Sequence, residues 1–569
     1  MNTEMKMKMK NSHSYLVALC VSSSFLVPLA VQAASPITTS SGKWTKVEFL
    51  NRSSLGLGKA PFCEGVWSDG SIVYSTERSS NRMDTTDYLL MSPDVNGSYL
   101  KLGQRTRLIK KEFYAIPQGS RLFSPSGVFV EAAHRYVQDK DNPYVANGEY
   151  LDIAPILAGE IGQDMDRIYS FDPKADAWKS VPSPLLYNLY PTLDGFLSNH
   201  TKRDYGLPLY TEVDPISGKV TEFPDPENLR ERIIPKNTRD NDPLIVVANS
   251  WTPMQFCFFP LSRKVVTVTK GYDRFYGYDT TSYMPVRELP KALSYAGDPS
   301  QDWRVGCLPN SVTLPDGKWF LVGATGETVI YDWRYEVGTK SGPKLPGNYG
   351  TSYCQPIFAA DGRLLLAADD YGTYGTYETN SALMSYDYRT NSWKNMTETL
   401  PLELKRQFKS FFVGGTTLAS LPNGHILVVG SDGDTFFCWD WEPSNDQASR
   451  PYLDLYRPVV SSIQRDANDS SLFRGLGVKV TGVFSVNANV NRNNIVPGGP
   501  IVELRKNGKF VRYLSTTGWN PACSNLETPR AGEPFNFEVP KDVPNGYYTV
   551  RLVVNGLPSL SHYPIQVKR

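Results

Sequence analysis

The chain has 569 residues, and its 59 lysine and arginine residues nearly balance 58 aspartate and glutamate residues, for a formal net charge of +1. A nucleic-acid-binding protein normally carries a run or patch of basic residues, and the sequence shows no such run, which argues against that class. The 44 glycines, 42 prolines and 33 tyrosines are typical of a β-rich protein with many turns and half-buried aromatic side chains.

Residues 1–33 have the pattern of a secretory signal peptide. Three lysines between positions 6 and 10 precede an apolar stretch over residues 15–29, and Val31-Gln32-Ala33 fits a small-residue cleavage site. The apolar stretch is shorter than the roughly 20 residues that a membrane-spanning helix needs. No later segment is long and apolar enough to span a membrane. We therefore expect a mature chain from Ala34 that is secreted, or periplasmic or otherwise extracellular, without a membrane span.

A repeated unit follows over residues 34–458. In each copy an apolar strand leads into a tight turn, usually Asp-Gly or Asn-Gly, and then into a second apolar strand. Asp-Gly and Asn-Gly suit such hairpins because they tolerate positive φ angles. The turns fall near residues 70, 127, 195, 262, 317, 362 and 424. Seven units at this spacing predict a seven-bladed kelch-like β-propeller, because kelch blades repeat about every 50 residues.

Two tryptophans mark a second feature of the repeat. Trp178 and Trp393 each follow an aspartate by six residues, in Phe171-Asp172-Pro173 and Tyr386-Asp387-Tyr388. In kelch blades this is the outer hairpin, whose tryptophan packs between adjacent blades. We predict a structural role for both side chains.

The pattern changes after residue 458. Short strands alternate with turn signals every 8 to 15 residues, as in a β-sandwich. We predict a C-terminal immunoglobulin-like β-sandwich over residues 459–569. The predicted fold class is therefore all-β, a seven-bladed kelch-like propeller followed by this sandwich.

Six cysteines remain after the predicted cleavage. An even number in an oxidising compartment favours disulfides, and the sequence does not select among the 15 possible pairings. No CxxC pair is present, which argues against a zinc site. We expect one or two disulfides together with buried thiols.

Two motifs resemble the galactose oxidase and glyoxal oxidase family of copper radical oxidases. Residues 543–559, which include Val543-Pro544-Asn545-Gly546-Tyr547-Tyr548 and Asn555-Gly556-Leu557-Pro558-Ser559, resemble the closing strands of that family. Phe62-Cys63-Glu64-Gly65 resembles its "FCxG" motif. The resemblance implies a copper site formed by an axial tyrosine, two histidines and a second tyrosine that is cross-linked to the cysteine, here Cys63.

The chain departs from this family at the expected copper ligands. Gly414-Gly415 occupy the position of a Tyr-His pair, and Thr517 occupies that of the second histidine. Gln118 stands where the cross-linked tyrosine is expected, and Tyr114 would replace it only through a four-residue insertion. Cu(II) favours nitrogen and oxygen donors in a tetragonal arrangement. We therefore predict a remote member without a cofactor, and copper only if the ligands have been rearranged.

The four histidines of the mature chain do not restore such a site. None falls at a ligand position of the motif, and they lie in separate segments without metal-ligand spacing. We interpret each as a surface or strand-end histidine. These residues are His134, His200, His425 and His562.

The central funnel of a propeller remains a candidate binding site without a metal. Asp369, Asp370, Tyr371 and Tyr374 share a glycine-rich loop, and carboxylates beside tyrosine rings suit sugars. The simpler interpretation of this loop is a solvated connection between strands. The candidate ligand-binding positions are Cys63, Tyr114, Gln118, Asp369, Asp370, Tyr371, Tyr374 and Thr517.

Two functions remain open from the sequence. The favoured one is non-catalytic binding of a glycan or of an envelope or extracellular protein. The alternative is an enzyme, either a secreted alcohol or aldehyde oxidase with rearranged metal ligands or a carbohydrate-active enzyme that uses funnel carboxylates. No Gly-x-Ser-x-Gly, Walker or HExxH motif points to another enzyme class.

Overall fold

The fold is described from a computed structural model. It describes residues 43–49, 62–75, 88–108, 115–135, 166–182, 188–191, 196–200, 209–214, 220–223, 244–248, 255–258, 266–269, 310–322, 326, 328–331, 339–350, 356–370, 381–410, 417–430, 436–440, 450–486, 499–520, 526, 529 and 531–569. The predicted signal peptide, Tyr114, Tyr371 and Tyr374 lie outside these ranges.

The described residues are almost entirely β-structure, which confirms the predicted all-β class. Helical structure within them amounts to α1 (Leu402–Ser410), α2 (Arg450–Tyr456) and a short 3₁₀ helix (Thr397–Thr399). None of the described helices is long and apolar enough to cross a membrane.

Sheets 1 to 3 are built mainly from consecutive antiparallel strands. In sheet 1 the order is β2-β6-β5-β4-β3, with β2 parallel to β6, and sheets 2 and 3 run β7 to β10 and β11 to β14 in chain order. The strands of sheet 1 are β2 (Glu48–Phe49), β3 (Phe62–Val66), β4 (Ile72–Ser75), β5 (Tyr88–Ser92) and β6 (Lys101–Leu108). Those of sheet 2 are β7 (Ala115–Phe123), β8 (Phe129–Arg135), β9 (Asp166–Asp172) and β10 (Ala177–Pro182). Those of sheet 3 are β11 (Asn188–Pro191), β12 (Phe196–His200), β13 (Leu209–Val213) and β14 (Val220–Phe223).

Sheet 4 departs from this meander pattern. Its order is β16-β15-β17, and β15 pairs with β17 in parallel. The strands are β15 (Leu244–Ala248), β16 (Gln255–Phe258) and β17 (Val266–Thr269). The turn predicted near residue 262 lies between β16 and β17, outside the described residues.

Sheets 5 and 6 return to consecutive antiparallel pairing. In sheet 6 both β22 and β23 pair with β24, so two short segments share one edge of that strand. Sheet 5 contains β18 (Asn310–Thr313), β19 (Trp319–Val322), β20 (Thr328–Tyr331) and β21 (Thr339–Ser341). Sheet 6 contains β22 (Tyr349–Gly350), β23 (Ile357–Phe358), β24 (Leu364–Asp370), β25 (Ser381–Asp387) and β26 (Ser392–Asn395).

Sheet 7 is completed by a strand from the other end of the chain. It contains β27 (Thr417–Ser420), β28 (Ile426–Val429) and β29 (Phe436–Asp440), and β1 (Lys43–Lys46) pairs antiparallel with β29 in the register Thr45↔Cys438. Small sheets in succession, the last of them completed by the first strand, are typical of propeller-like proteins.

The predicted turns and tryptophans have the expected local structure where they are described. The glycines of five predicted turns have φ angles between +79° and +86°; they are Gly70, Gly127, Gly317, Gly362 and Gly424. Trp178 of sheet 2 lies 6.1 Å from Tyr88 of sheet 1, and Trp393 of sheet 6 lies 6.0 Å from Phe320 of sheet 5, measured between ring centroids. Both tryptophans therefore pack between neighbouring sheets, as predicted.

The remaining strands form one eight-stranded C-terminal sheet with β30 and β38 near its two ends. Its strands are β30 (Val459–Arg465), β31 (Leu472–Val478), β33 (Ile501–Lys506), β34 (Lys509–Thr517), β35 (Ala531–Glu538), β36 (Gly546–Val554), β37 (Leu557–Pro558) and β38 (Tyr563–Val567). Phe473 and Phe535 from one half share a buried core with Val502 and Leu552 from the other. The sheet is therefore curved around a single core.

Candidate functional site

The C-terminal sheet occupies the turn end of several repeat sheets. The Ser68 hydroxyl in the sheet 1 turn lies 2.9 Å from the Ser515 hydroxyl on β34. In sheet 2, the amide of Gly518 donates a hydrogen bond to the carbonyl of Pro125 at 2.6 Å. In sheet 7, Gly424 and Gly556 approach so closely that a Cβ on Gly556 would lie 2.8 Å from the Gly424 Cα.

The same docking extends to sheet 5 and to the outer turn of sheet 2. The amide of Leu526 donates to the carbonyl of Pro315 at 3.2 Å, and Lys174 forms an ion pair with Glu538 of β35. The C-terminal part of the chain therefore covers this end of the strands.

Thr517, one of the predicted site residues, lies at the covered end. It is the last residue of β34, and a Cβ on Gly127 would lie 2.8 Å from its γ-methyl. A different C-terminal segment, β32 (Ser485–Val486), lies beside the first strand of a repeat sheet. It pairs with β18 of sheet 5 in the register Val312↔Val486. Strand β32 was not predictable from the sequence, because two residues are too few to show a periodic pattern.

Cys63, a second predicted site residue, is buried in the core of sheets 1 and 7. Its side chain is 2% exposed, and its cross-strand neighbour is Tyr74, which is fully buried. Burial raises the pKa of Tyr74 well above its usual value, and the hydrogen bond and proximity of Cys63 raise it further. Cys438 of sheet 7 belongs to the same apolar cluster. Tyr74 is thus the tyrosine that packs against Cys63, whereas sequence reasoning considered Tyr114 and the position of Gln118.

Asp370 lies at the opposite strand ends, where it pairs with a tyrosine that the sequence analysis missed. It is the last residue of β24, and its cross-strand neighbour is Tyr349 of β22. Both residues are half-buried. Burial raises the pKa of Tyr349, and the negative charge of Asp370 raises it further, so the phenol stays protonated. The signal for Tyr349 was weak because β22 is separated from β24 by 13 residues and shows no alternating pattern.

The other predicted positions are described only in part. Asp369 pairs with Gly350 and Ser381 along the backbone, beside Asp370. Gln118 lies in β7 within a stretch where the pairing with β8 shifts register. Tyr114, Tyr371 and Tyr374 lie outside the described residues, so their roles stay predictions.

Within the described ranges, no group of three or more histidine, cysteine, aspartate or glutamate side chains is arranged to hold a metal ion. His425 lies in the sheet 7 turn, where its amide donates to Asn423 Oδ1 at 3.2 Å. His562 is exposed, and its pKa is lowered by partial desolvation and by Arg551 and Arg505.

Comparisons with known proteins give only distant structural likeness. No family model matches the chain, and no curated protein matches it. A fungal alcohol oxidase of the AA5 family in complex with copper is 11% identical, with 93% of this chain and 100% of that chain covered and a TM-score of 0.31. YCF48 bound to a D1 peptide is 9% identical (71% and 97% covered, TM-score 0.34), and TolB from Acinetobacter baumannii is 11% identical (62% and 60% covered, TM-score 0.24). At these TM-scores none of the three likenesses supports a functional assignment for this chain.

Proposed function

We propose that this protein is an exported, galactose-oxidase-like propeller that binds a glycan without catalysis. In this proposal the seven repeat sheets are the blades of one ring, which β1 closes through β29, and the C-terminal sheet is an immunoglobulin-like domain that covers one side. The binding site is then at the opposite strand ends, and Tyr349 and Asp370 contribute to it. The observation that carries the proposal is this tyrosine–carboxylate pair, half-buried at the strand ends away from the C-terminal sheet.

The chemistry of the pair suits a sugar hydroxyl. A protonated phenol donates a hydrogen bond, and a carboxylate accepts one or two. Sugar hydroxyls both donate and accept, so adjacent hydroxyls on one ring satisfy both groups. The tyrosine ring also offers an apolar face for the C–H surface of a sugar. Neither group needs a metal for this role.

The test is binding of the purified mature protein to a broad glycan array, followed by titration of the best glycan. We expect Asp370→Asn to weaken binding about 10- to 100-fold, because a hydrogen bond to a charged group contributes about 1.5–3 kcal/mol. Tyr349→Phe removes a neutral donor, whose hydrogen bond contributes about 0.5–1.5 kcal/mol, and should weaken binding about 2- to 10-fold. Asp176→Asn is the matched control. Asp176 is exposed on the outer turn of sheet 2, and asparagine tolerates its positive φ angle.

Two results would overturn the proposal. One is the absence of binding to any glycan on the array, with capture of an envelope or extracellular protein instead. The other is copper bound at one equivalent per chain together with hydrogen peroxide release from alcohols or aldehydes, which would favour the oxidase.

A further inference from the structure

The charges of the chain are divided unevenly between its two parts. Residues 459–569 contain thirteen lysine and arginine residues against seven aspartate and glutamate residues, a formal net charge of +6. Residues 1–458 contain 46 against 51, a formal net charge of −5. The near-neutral total therefore conceals a basic C-terminal part.

The fold gathers many of these charges at one end of the C-terminal sheet. Lys506 and Lys509 face each other across the β33–β34 hairpin. The Lys506 ammonium lies 5.1 Å from the centre of the Tyr548 ring, near the start of β36. At that start Gly546 pairs with Val567 of β38, the residue before Lys568.

Two arginines join the segment that precedes β36 to the same end. Arg512 of β34 forms an ion pair with Asp542 at 2.6 Å. The Arg569 guanidinium donates to the carbonyls of Pro540 and Lys541. We call this surface the basic end; it consists of Lys506, Lys509, Arg512, Lys541, Lys568 and Arg569. The described contacts place four carboxylates nearby: Asp542, Glu538 with its partner Lys174, and Asp466 and Asp469 in the turn after β30. That turn reaches this end because the Arg465 guanidinium donates to the Lys568 carbonyl and the Val539 amide donates to the Ser471 carbonyl. Asp466 is paired with Arg474, so cations still outnumber carboxylates here.

An exposed aromatic ring lies beside the basic end. Tyr547 is 73% exposed and pairs with Gln566 on β38. Lys568 follows Gln566 by two residues and so lies on the same face, within diagonal reach of the tyrosine ring. The surface thus combines several cations with one platform on which a planar or ring-shaped group can stack.

We propose that the basic end binds an acidic polysaccharide, a glycan chain that carries sulfate, carboxylate or phosphate groups. Cations at the ends of three strands match the repeated anions of such a polymer, and the Tyr547 ring offers a face to a sugar unit. A membrane-binding surface would expose clustered apolar side chains, and Tyr547 is the one exposed large hydrophobic residue in the described part of this end. The predicted export favours an extracellular polymer over nucleic acid.

This site is separate from Tyr349 and Asp370 and does not depend on the function proposed for them. Long basic runs are the usual sequence signal for a polyanion-binding surface. Here the lysines and arginines are dispersed over more than 60 residues of sequence, so the surface is visible only after the strands are paired.

The test compares two triple variants of the full mature chain. The probes are heparin (sulfate), polygalacturonate (carboxylate), a teichoic polymer (phosphodiester) and neutral dextran. The first variant is Lys509→Ala with Lys541→Ala and Lys568→Ala, three exposed lysines of the basic end. The matched control is Lys43→Ala with Lys179→Ala and Lys394→Ala, three exposed lysines on the outer strands of sheets 7, 2 and 6. Both variants lose the same net charge.

We expect binding of at least one acidic polymer, no binding of dextran, and a tenfold or larger loss of affinity in the first variant only. The dependence of log K on log salt should become shallower by about two to three units in that variant, because fewer counterions are released. Lys509→Arg with Lys541→Arg and Lys568→Arg should keep the affinity, which separates loss of charge from loss of folding.

Three outcomes would overturn the proposal. The first is an equal loss of affinity in both alanine triple variants, which would show that binding depends only on the net charge of the protein. The second is tighter binding to vesicles of anionic phospholipid or to duplex DNA than to every acidic polysaccharide. The third is no binding to any acidic polymer at low salt.

Discussion

Two cross-strand pairs, Cys63–Tyr74 in sheet 1 and Tyr349–Asp370 in sheet 6, each contain a tyrosine, and the surroundings of the two tyrosines differ. In both, a tyrosine pKa is raised, first by burial and then by the partner across the strand. Tyr74 is fully buried, whereas Tyr349 is half-buried. The first pair is therefore part of the core, and only the second is accessible to a ligand.

The difference follows from position along the strand. Tyr74 comes four residues after the turn glycine Gly70, and Asp370 comes eight residues after its counterpart Gly362. At about 3.3 Å per residue, the second pair lies about 13 Å farther from the turn end. Distance from the covered turn end thus separates a structural tyrosine from a candidate ligand-binding one.

The largest expected effect is on Tyr74. Tyr74→Ala should lower the free energy of unfolding by about 3–5 kcal/mol, because it leaves a cavity in a core shared by sheets 1 and 7. Tyr74→Phe keeps the ring and loses only the hydrogen bond to Cys63, so it should cost about 1 kcal/mol. Urea unfolding followed by tryptophan fluorescence measures both.

Tyr349→Ala is the comparison for these variants. It removes a ring that is in contact with solvent and should cost clearly less than Tyr74→Ala. If Tyr349→Ala destabilises the protein as much as Tyr74→Ala does, the two tyrosines are equally buried, and distance from the turn end does not separate a core residue from an accessible one.

A smaller effect is expected at the turn end, where the C-terminal sheet is docked. Gly127→Ala should cost about 1–3 kcal/mol, because its φ is +84° and the new Cβ would lie 2.8 Å from the Thr517 γ-methyl. Gly508→Ala is the matched control. Its φ is +76°, and among the described residues no atom outside its chain neighbours lies within 4 Å of the new Cβ, so it reports backbone strain alone.

Thr517→Ser removes the methyl group that Gly127→Ala would meet. The double variant should therefore recover the part of the cost that exceeds the Gly508→Ala control, a coupling of about 0.5 kcal/mol or more. Equal costs for Gly127→Ala and Gly508→Ala, with no coupling to Thr517→Ser, would show that β34 does not press on the sheet 2 turn in solution.

The sequence predicted local features of this molecule better than the contacts between distant segments. Gly70 and Gly424 were identifiable because a tight hairpin turn requires positive φ, which Asp-Gly and Asn-Gly tolerate. Trp178 was identifiable because its spacing from Asp172 recurs in sheet 6. Tyr349 was not identifiable from the sequence, because its pairing with Asp370 depends on the two-residue strand β22. The seven-bladed ring, the immunoglobulin-like domain and the domain boundaries stay predictions.

The smallest effect is a shift in the pKa of Tyr349, and it tests the accessible pair directly. Asp370→Asn removes the negative charge beside the phenol, so the pKa of Tyr349 should fall toward its ordinary value of about 10 while remaining raised by burial. The difference in tyrosinate absorbance between the protein and its Tyr349→Phe variant isolates this one titration, and Asp176→Asn should leave it unchanged. Because the folded pKa is the higher one, the associated stability is intact below pH 10 and falls as the pH rises above it. A titration that Asp370→Asn does not move would mean that the two side chains do not face each other, and the proposed glycan site would lose its acceptor.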